Sequence, residues 1–212
     1  MFLNLYRNIT WIVVFILAII CKSQNAYADN CQLGINGCLG ISNIDYPGHN
    51  KNSNFTLSYE IGGSIEKQFS SFIKLGSGIK FQKSGYLQPN EIHKDGVNST
   101  DIGIKDYRIT LPIELYLTPK KSFPLSLIIG FENSFKLKRD YIIKPYNKDY
   151  LINFGEPSIY NINFEVGIRG DVGKSLSIGI LYKRGLNAVY RHVDGFNLNM
   201  ITLSVSWWIL KF

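Results

Sequence analysis

Three histidines, His49, His93 and His192, are the residue types best suited to metal or acid–base work, but no H-x-x-H or H-E-x-x-H pair is present, so a zinc site is not expected. His192 with Asp194, and His93 with Glu91 or Asp95, come nearest to a base with its orienting acid. No nucleophile stands beside either pair, and the chain has no G-x-S-x-G elbow. The stretch GIRGDVGKS at 167–175 looks superficially like a phosphate loop, yet Ile168 occupies the position that needs the first glycine. It reads better as a hairpin turn. Neither catalysis nor a cofactor is expected.

A larger set of charged residues is spaced differently, two by two along alternating segments. The acids Glu60, Glu66, Glu114, Glu132, Glu165 and Asp171, and the bases Lys74, Lys80, Arg108, Lys136, Arg169 and Lys183, fall on the polar face of those segments. The chemistry this suits is ion pairing inside a narrow interior, where charges persist only when paired and hydrogen-bonded. Arg108 with Glu132, and Arg169 with the neighbours of Lys183, are the expected pairs. A second cluster, Lys138, Arg139, Tyr141, Lys144, Tyr146, Lys148 and Tyr150, lies in an expected loop at 138–157. Cations and aromatics there suit glycans or phosphates, or simply a snorkelling membrane interface, which is the favoured reading.

The elements that must position these groups show period-2 alternation, in eight segments near 32–44, 54–67, 72–83, 104–118, 124–137, 158–171, 174–186 and 197–212. In the fourth, Tyr107, Ile109, Leu111, Ile113, Leu115 and Leu117 share one face, while Arg108, Thr110, Pro112, Glu114 and Tyr116 share the other. Pro112 removes a ladder donor and makes that strand less regular. The segments are longer than the five or six residues usual in globular strands and match the roughly nine to eleven needed to cross a bilayer at a tilt. Long and short connections alternate, as they do in transmembrane barrels. An even strand count then puts both termini in the periplasm and the loops at 84–103 and 138–157 outside.

Residues 1–28 read as a signal peptide, with Arg7 before an apolar run from Trp11 to Ile20 and Ala26-Tyr27-Ala28 as the cleavage site, which leaves a barrel domain at 29–212. The full chain carries 23 Lys+Arg against 16 Asp+Glu; losing Arg7 and Lys22 leaves 21 against 16, a mature charge of +5. That balance suits acidic lipid headgroups or lipopolysaccharide, and export argues against nucleic acid. Beyond the signal no apolar run is long enough for a helical span. Cys31 and Cys38 would meet an oxidising compartment, but on one extended strand they would stand about 23 Å apart, so a bridge needs the tail around Cys31 to fold back.

The chain ends SWWILKF, which resembles the C-terminal signature of bacterial outer-membrane barrels. Ile201, Leu203, Val205 and Trp207 have one parity and Leu210 and Phe212 the other, which a bulge near Trp207-Trp208 would reconcile. The order of segments resembles the PorT-like outer-membrane β-barrel family of Bacteroidetes. LGINGCLGISNI at 33–44, IKLGSGIKFQKSGY at 73–86, YRITLPIELYL at 107–117, and the final hairpin from LSIGILYKRGLN at 176–187 to Phe212 carry the likeness. It implies an all-β fold, an eight-stranded antiparallel up-and-down transmembrane barrel, without assigning chemistry to any residue. The expected role is structural, surface-interacting or envelope-assembling, with secretion linked only to the family's namesake, and with outer-membrane lipid, lipopolysaccharide and other envelope proteins as partners. The alternatives are a narrow solute channel and a soluble periplasmic barrel whose oily faces point inward.

Overall fold

A computed structural model describes residues 31–44, 55–88, 102–119, 125–143, 158–188 and 197–212. Eight strands follow in chain order: β1 (Cys31–Ile44), β2 (Thr56–Gln68), β3 (Ile73–Gln88), β4 (Ile102–Leu117), β5 (Leu125–Ile143), β6 (Tyr160–Val172), β7 (Leu176–Gly185) and β8 (Leu198–Lys211). Each pairs antiparallel with the next, and β1 pairs with β8, so the sheet closes into an up-and-down barrel with no free edge. At the closure the Cys31 amide donates to the Phe212 carbonyl at 3.1 Å and the Phe212 amide to the Cys31 carbonyl at 2.9 Å. The expected signal peptide and the histidines lie outside the described residues.

Alternation decides which way each side chain points. Along β6, Asn161, Asn163, Glu165 and Arg169 are buried, whereas Tyr160, Ile162, Phe164 and Val166 keep surface on the outside. Ile61, Ile79, Ile180 and Leu203, from four different strands, are each more than half exposed. The apolar face is therefore the outer one. That contradicts the soluble alternative, which needed those faces inside, because water cannot solvate a continuous apolar belt of this kind without cost. On β4 the belt spans the ten steps from Tyr107 to Leu117, about 25 Å of height at a typical barrel tilt, the thickness of a hydrocarbon layer.

Three irregularities have local causes. Leu33 pairs with Leu210 but Gly34 with Trp208, so Ile209 is an extra residue and the expected bulge sits there. It leaves Trp207 exposed and Trp208 in the interior, where the indole Nε1 donates to Ser177 Oγ at 2.9 Å. A second bulge, not expected from the sequence, places Leu137 as the extra residue, since Tyr107 pairs with Lys138 and Arg108 with Lys136. Pro112 does not end β4. The β3–β4 ladder skips Gly78 and Ile79 opposite Leu111 and Pro112 without changing register, and Ser77 Oγ donates to the Pro112 carbonyl at 3.0 Å.

Connections at the end holding the termini are short, at 69–72, 118–124 and 173–175, and those at the other end run over 45–55, 89–101, 144–159 and 186–197. In the first, Ser70 Oγ accepts from the amides of Phe72 at 3.2 Å and Ile73 at 3.1 Å. In the last, Gly173 has φ +71°, the left-handed value that a tight hairpin demands and glycine adopts freely. The stretch that resembled a phosphate loop is thus a β6–β7 hairpin.

If the outer belt faces hydrocarbon, Phe164→Arg near mid-strand lowers the folding free energy in vesicles by about 2–4 kcal/mol, and Lys105→Arg nearer the rim by less than about 1 kcal/mol. Urea titration of vesicle-folded protein measures both; equal costs would remove Phe164 from the hydrocarbon.

Candidate functional site

Closing eight strands leaves an interior only wide enough for side chains, and this one is filled in layers of charge. In the middle stands Lys183 of β7. Its Nζ lies 2.7 and 2.8 Å from the two Glu60 carboxylate oxygens, 2.7 Å from Glu132 Oε2 and 2.9 Å from Glu165 Oε1. Glu165 is its direct neighbour across the β6–β7 ladder, whereas Glu60 on β2 reaches it from the far wall. One ammonium thus ties four strands. The carboxylates are oriented in turn: Gln82 Nε2 donates to Glu60 at 2.8 Å, and Asn163 Nδ2 donates to Glu132 at 2.9 Å. Beside them Lys80 meets Glu114 at 3.2 Å, and the Tyr116 hydroxyl donates to the same carboxylate.

Towards the termini, Arg169 forks onto both oxygens of Glu66 from across the lumen. Its guanidinium carbon lies 4.0 Å from the Tyr116 ring centroid and 5.6 Å from that of Trp208. Gly76 makes room for this stack, because a Cβ there would come within 2.7 Å of the Tyr116 ring. Asp171 accepts from Lys74 at 3.3 Å and from Ser177 at 2.7 Å. Lys74 and Asp171 are partly exposed and form the rim of the interior.

Towards the long connections the sign reverses. Asp106 accepts two hydrogen bonds from Arg139, at 2.6 and 2.7 Å, and one from Arg108 at 2.8 Å. Arg108 also donates to Ser134 at 3.3 Å and to the Asn161 side-chain oxygen. Beyond this layer Ile44, Tyr86, Ile104 and Leu198 are buried, and Ser42 Oγ donates to the Gly85 carbonyl at 2.6 Å while accepting from its amide at 3.1 Å. That last pair joins β1 to β3 across the end of β2 and narrows the interior.

Of the twelve charges expected on the polar face, Glu60, Glu66, Lys80, Arg108, Glu114, Glu132, Glu165, Arg169 and Lys183 are buried together in the lumen. Lys136 is half-buried beside Arg108. The expected partners need correction: Arg108 is held by Asp106 and not Glu132, and Arg169 by Glu66 and not by the neighbours of Lys183. Glu132 and Glu60 converge on Lys183 instead, because pairs form across the lumen as well as along the ladder.

Arg139 and Asp106 are lumenal residues that sequence reasoning missed. Arg139 belonged to the expected 138–157 loop, but β5 continues to Ile143, so Lys138, Arg139 and Tyr141 are strand residues. The bulge at Leu137 then turns Arg139 inward and Lys138 outward. Asp106 and Gln82 were legible by parity, with Arg108 and Lys80 respectively. Lys144, Tyr146, Lys148 and Tyr150 lie outside the described residues.

Cys38 is buried opposite Glu60, and Cys31 sits at the start of the same strand opposite Lys67. The tail does not fold back, and no disulfide joins them. Among the described residues no group of His, Cys, Asp and Glu could hold a metal ion.

Such a layer can brace the wall far better than it can react. Removing Lys183 would leave three desolvated carboxylates facing one another, so Lys183→Met destabilises the barrel by about 3–5 kcal/mol. Lys74→Met at the rim costs no more than about 1 kcal/mol. Chemical unfolding in detergent reads both, and a Lys183→Met barrel as stable as wild type would contradict the clasp.

No curated protein sequence matches the chain. Among solved structures it is similar to Neisserial surface protein A from Neisseria, at 9% identity and a TM-score of 0.56 over 85% of this chain and 100% of that one. It is also similar to the attachment invasion locus protein of Yersinia pestis, at 9% identity and a TM-score of 0.45 over 85% of this chain and 99% of that one. A family model described as an outer membrane protein beta-barrel domain matches residues 23–191, most of the chain. With its closed eight-stranded barrel and outward apolar belt, the protein belongs to that outer-membrane β-barrel family and resides in the bacterial outer membrane.

Proposed function

We propose that this barrel is a non-catalytic integral protein of the outer membrane, plugged by its own side chains. It serves a structural, surface-interacting or envelope-assembling role, which would include a secretion-associated one if the PorT-like resemblance extends to function. Its termini face the periplasm and its long connections the exterior. Its partners are outer-membrane lipid, lipopolysaccharide and other envelope proteins.

The single observation that carries this reading is the burial of the Lys183 clasp. Glu60, Glu132, Glu165 and Lys183 are each 2% exposed or less although they face the lumen of a barrel. A passage wide enough for water along the axis would have wetted them. Four interior carboxylates, those of Glu60, Glu114, Glu132 and Glu165, surround only two ammoniums there, and two guanidiniums on the loop side share one carboxylate. An ion moving along the axis would meet fields of opposite sign in succession, and every group that could solvate it is already engaged.

Planar-bilayer recording tests this. The purified protein gives no steady conductance at moderate voltage. Reproducible ion-selective steps that change in Arg108→Gln or Glu114→Gln would establish the channel alternative in its place.

A further inference from the structure

On the outer wall, four residues at one height on successive strands alternate between aromatic and cationic. Tyr59 of β2 pairs with Lys83 of β3, Lys83 with Tyr107 of β4, and Tyr107 with Lys138 of β5. The Lys83 ammonium lies 5.3 Å from the Tyr59 ring centroid and that of Lys138 lies 6.0 Å from the Tyr107 centroid. The two ammoniums are therefore held at the tops of rings, two strands or roughly 10 Å apart. Lys105 lies in the next outward row, opposite Asp140, and Asp140 pairs with Lys138 at 2.8 Å. Among the described residues Lys83 has no acidic partner.

The row marks the upper edge of the apolar belt, since Ile61, Ile79, Phe81 and Ile109 stand exposed immediately below it on the same strands. It does not continue round the barrel. At corresponding heights the outward residues of β1 and β8 are Leu39, Ile41, Ile201 and Leu203, all apolar. A girdle serving only to seat the barrel in a bilayer would ring it, so the one-sided placement of cations asks for a ligand on that side. An ammonium held at the edge of hydrocarbon, and unmatched by protein, suits a phosphate fixed at that depth by its own acyl chains.

We propose that the outer face of β2–β5 docks the phosphorylated sugar headgroup of an outer-leaflet glycolipid, with Lys83 and Lys138 binding phosphate and Tyr59 and Tyr107 holding the two ammoniums in place. This rests on the membrane-embedded orientation argued above, with the long connections outside. The aromatic rings limit where each ammonium can go, so less side-chain freedom is lost on binding than for a lysine in water. Asp140 tempers Lys138, which makes Lys83 the stronger contact.

The test is native mass spectrometry of the full-length barrel folded in detergent, titrated with bisphosphorylated lipid A, with lipid A stripped of phosphate, and with phosphatidylglycerol. Wild type retains bisphosphorylated lipid A best. Lys83→Gln/Lys138→Gln weakens that binding by about tenfold or more, Lys83→Arg/Lys138→Arg keeps it, and Arg184→Gln on β7 leaves it unchanged. Equal retention of the stripped lipid or of phosphatidylglycerol by wild type would overturn the proposal, as would a double Gln variant that binds like wild type. Insertion of each variant into phosphatidylcholine vesicles, read by the faster migration of the unboiled barrel on gels, tests the membrane reading separately. Failure there is distinct from failure of the lipid row.

Discussion

The ammonium of Lys183 is the point on which the interior converges. It is bonded to carboxylates from β2, β5 and β6, and those three strands plus its own make up half the wall. A hydrogen-bonded ladder fixes only nearest neighbours; it does not hold opposite walls at a set distance. Lys183 to Glu60, and Arg169 to Glu66, do so at two heights. Desolvated ion pairs of this kind add little net stability compared with an apolar filling, but an unmatched partner is severely penalised. The interior charges therefore act mainly on uniqueness: a strand slipped by one residue would turn Glu60 or Glu132 into hydrocarbon and leave Lys183 unpaired in the lumen.

That requirement propagates outward. With the polar parity committed to the lumen, the opposite parity must face lipid, and the belt of isoleucine, leucine and phenylalanine follows from it without further specification. Where the parity has to change, a bulge absorbs the extra residue, at Ile209 in β8 and at Leu137 in β5. Both bulges turn a large side chain into the interior, Trp208 in one case and Arg139 in the other. Each then closes a layer: Trp208 flanks the Arg169 guanidinium, and Arg139 forks onto Asp106. The irregular positions of the sheet thus complete the packing of its core.

The strand number, the outward faces and most of the lumenal charges were readable from alternation alone, because a period of two is a direct imprint of a wall with lipid on one side. The bulge in β8 was readable because Leu210 and Phe212 are apolar and on the wrong parity. The bulge in β5 was not: Lys136, Leu137, Lys138 and Arg139 include three cations, so the sequence has no polarity contrast to reveal a change of phase, and the segment reads as loop. The ion-pair partners were unreadable for another reason. Lys183 and Glu60 are brought together by closure of the barrel, a contact across the lumen that no ladder register or local spacing encodes. Arg169 and Glu66 follow the same rule.

The central claim is that no water-filled passage reaches the middle of the lumen, and Cys38 is a native reporter of it. This thiol faces inward opposite Glu60 and is 6% exposed. In a Cys21→Ser/Cys31→Ser variant it is the sole cysteine of the chain, and its reaction with a small water-soluble methanethiosulfonate can be followed by mass. The account predicts that the folded barrel in detergent stays unmodified over the time in which the urea-unfolded chain is labelled completely. Labelling of the folded barrel at a comparable rate would show water standing beside the Lys183 clasp and would contradict a lumen filled by its own side chains.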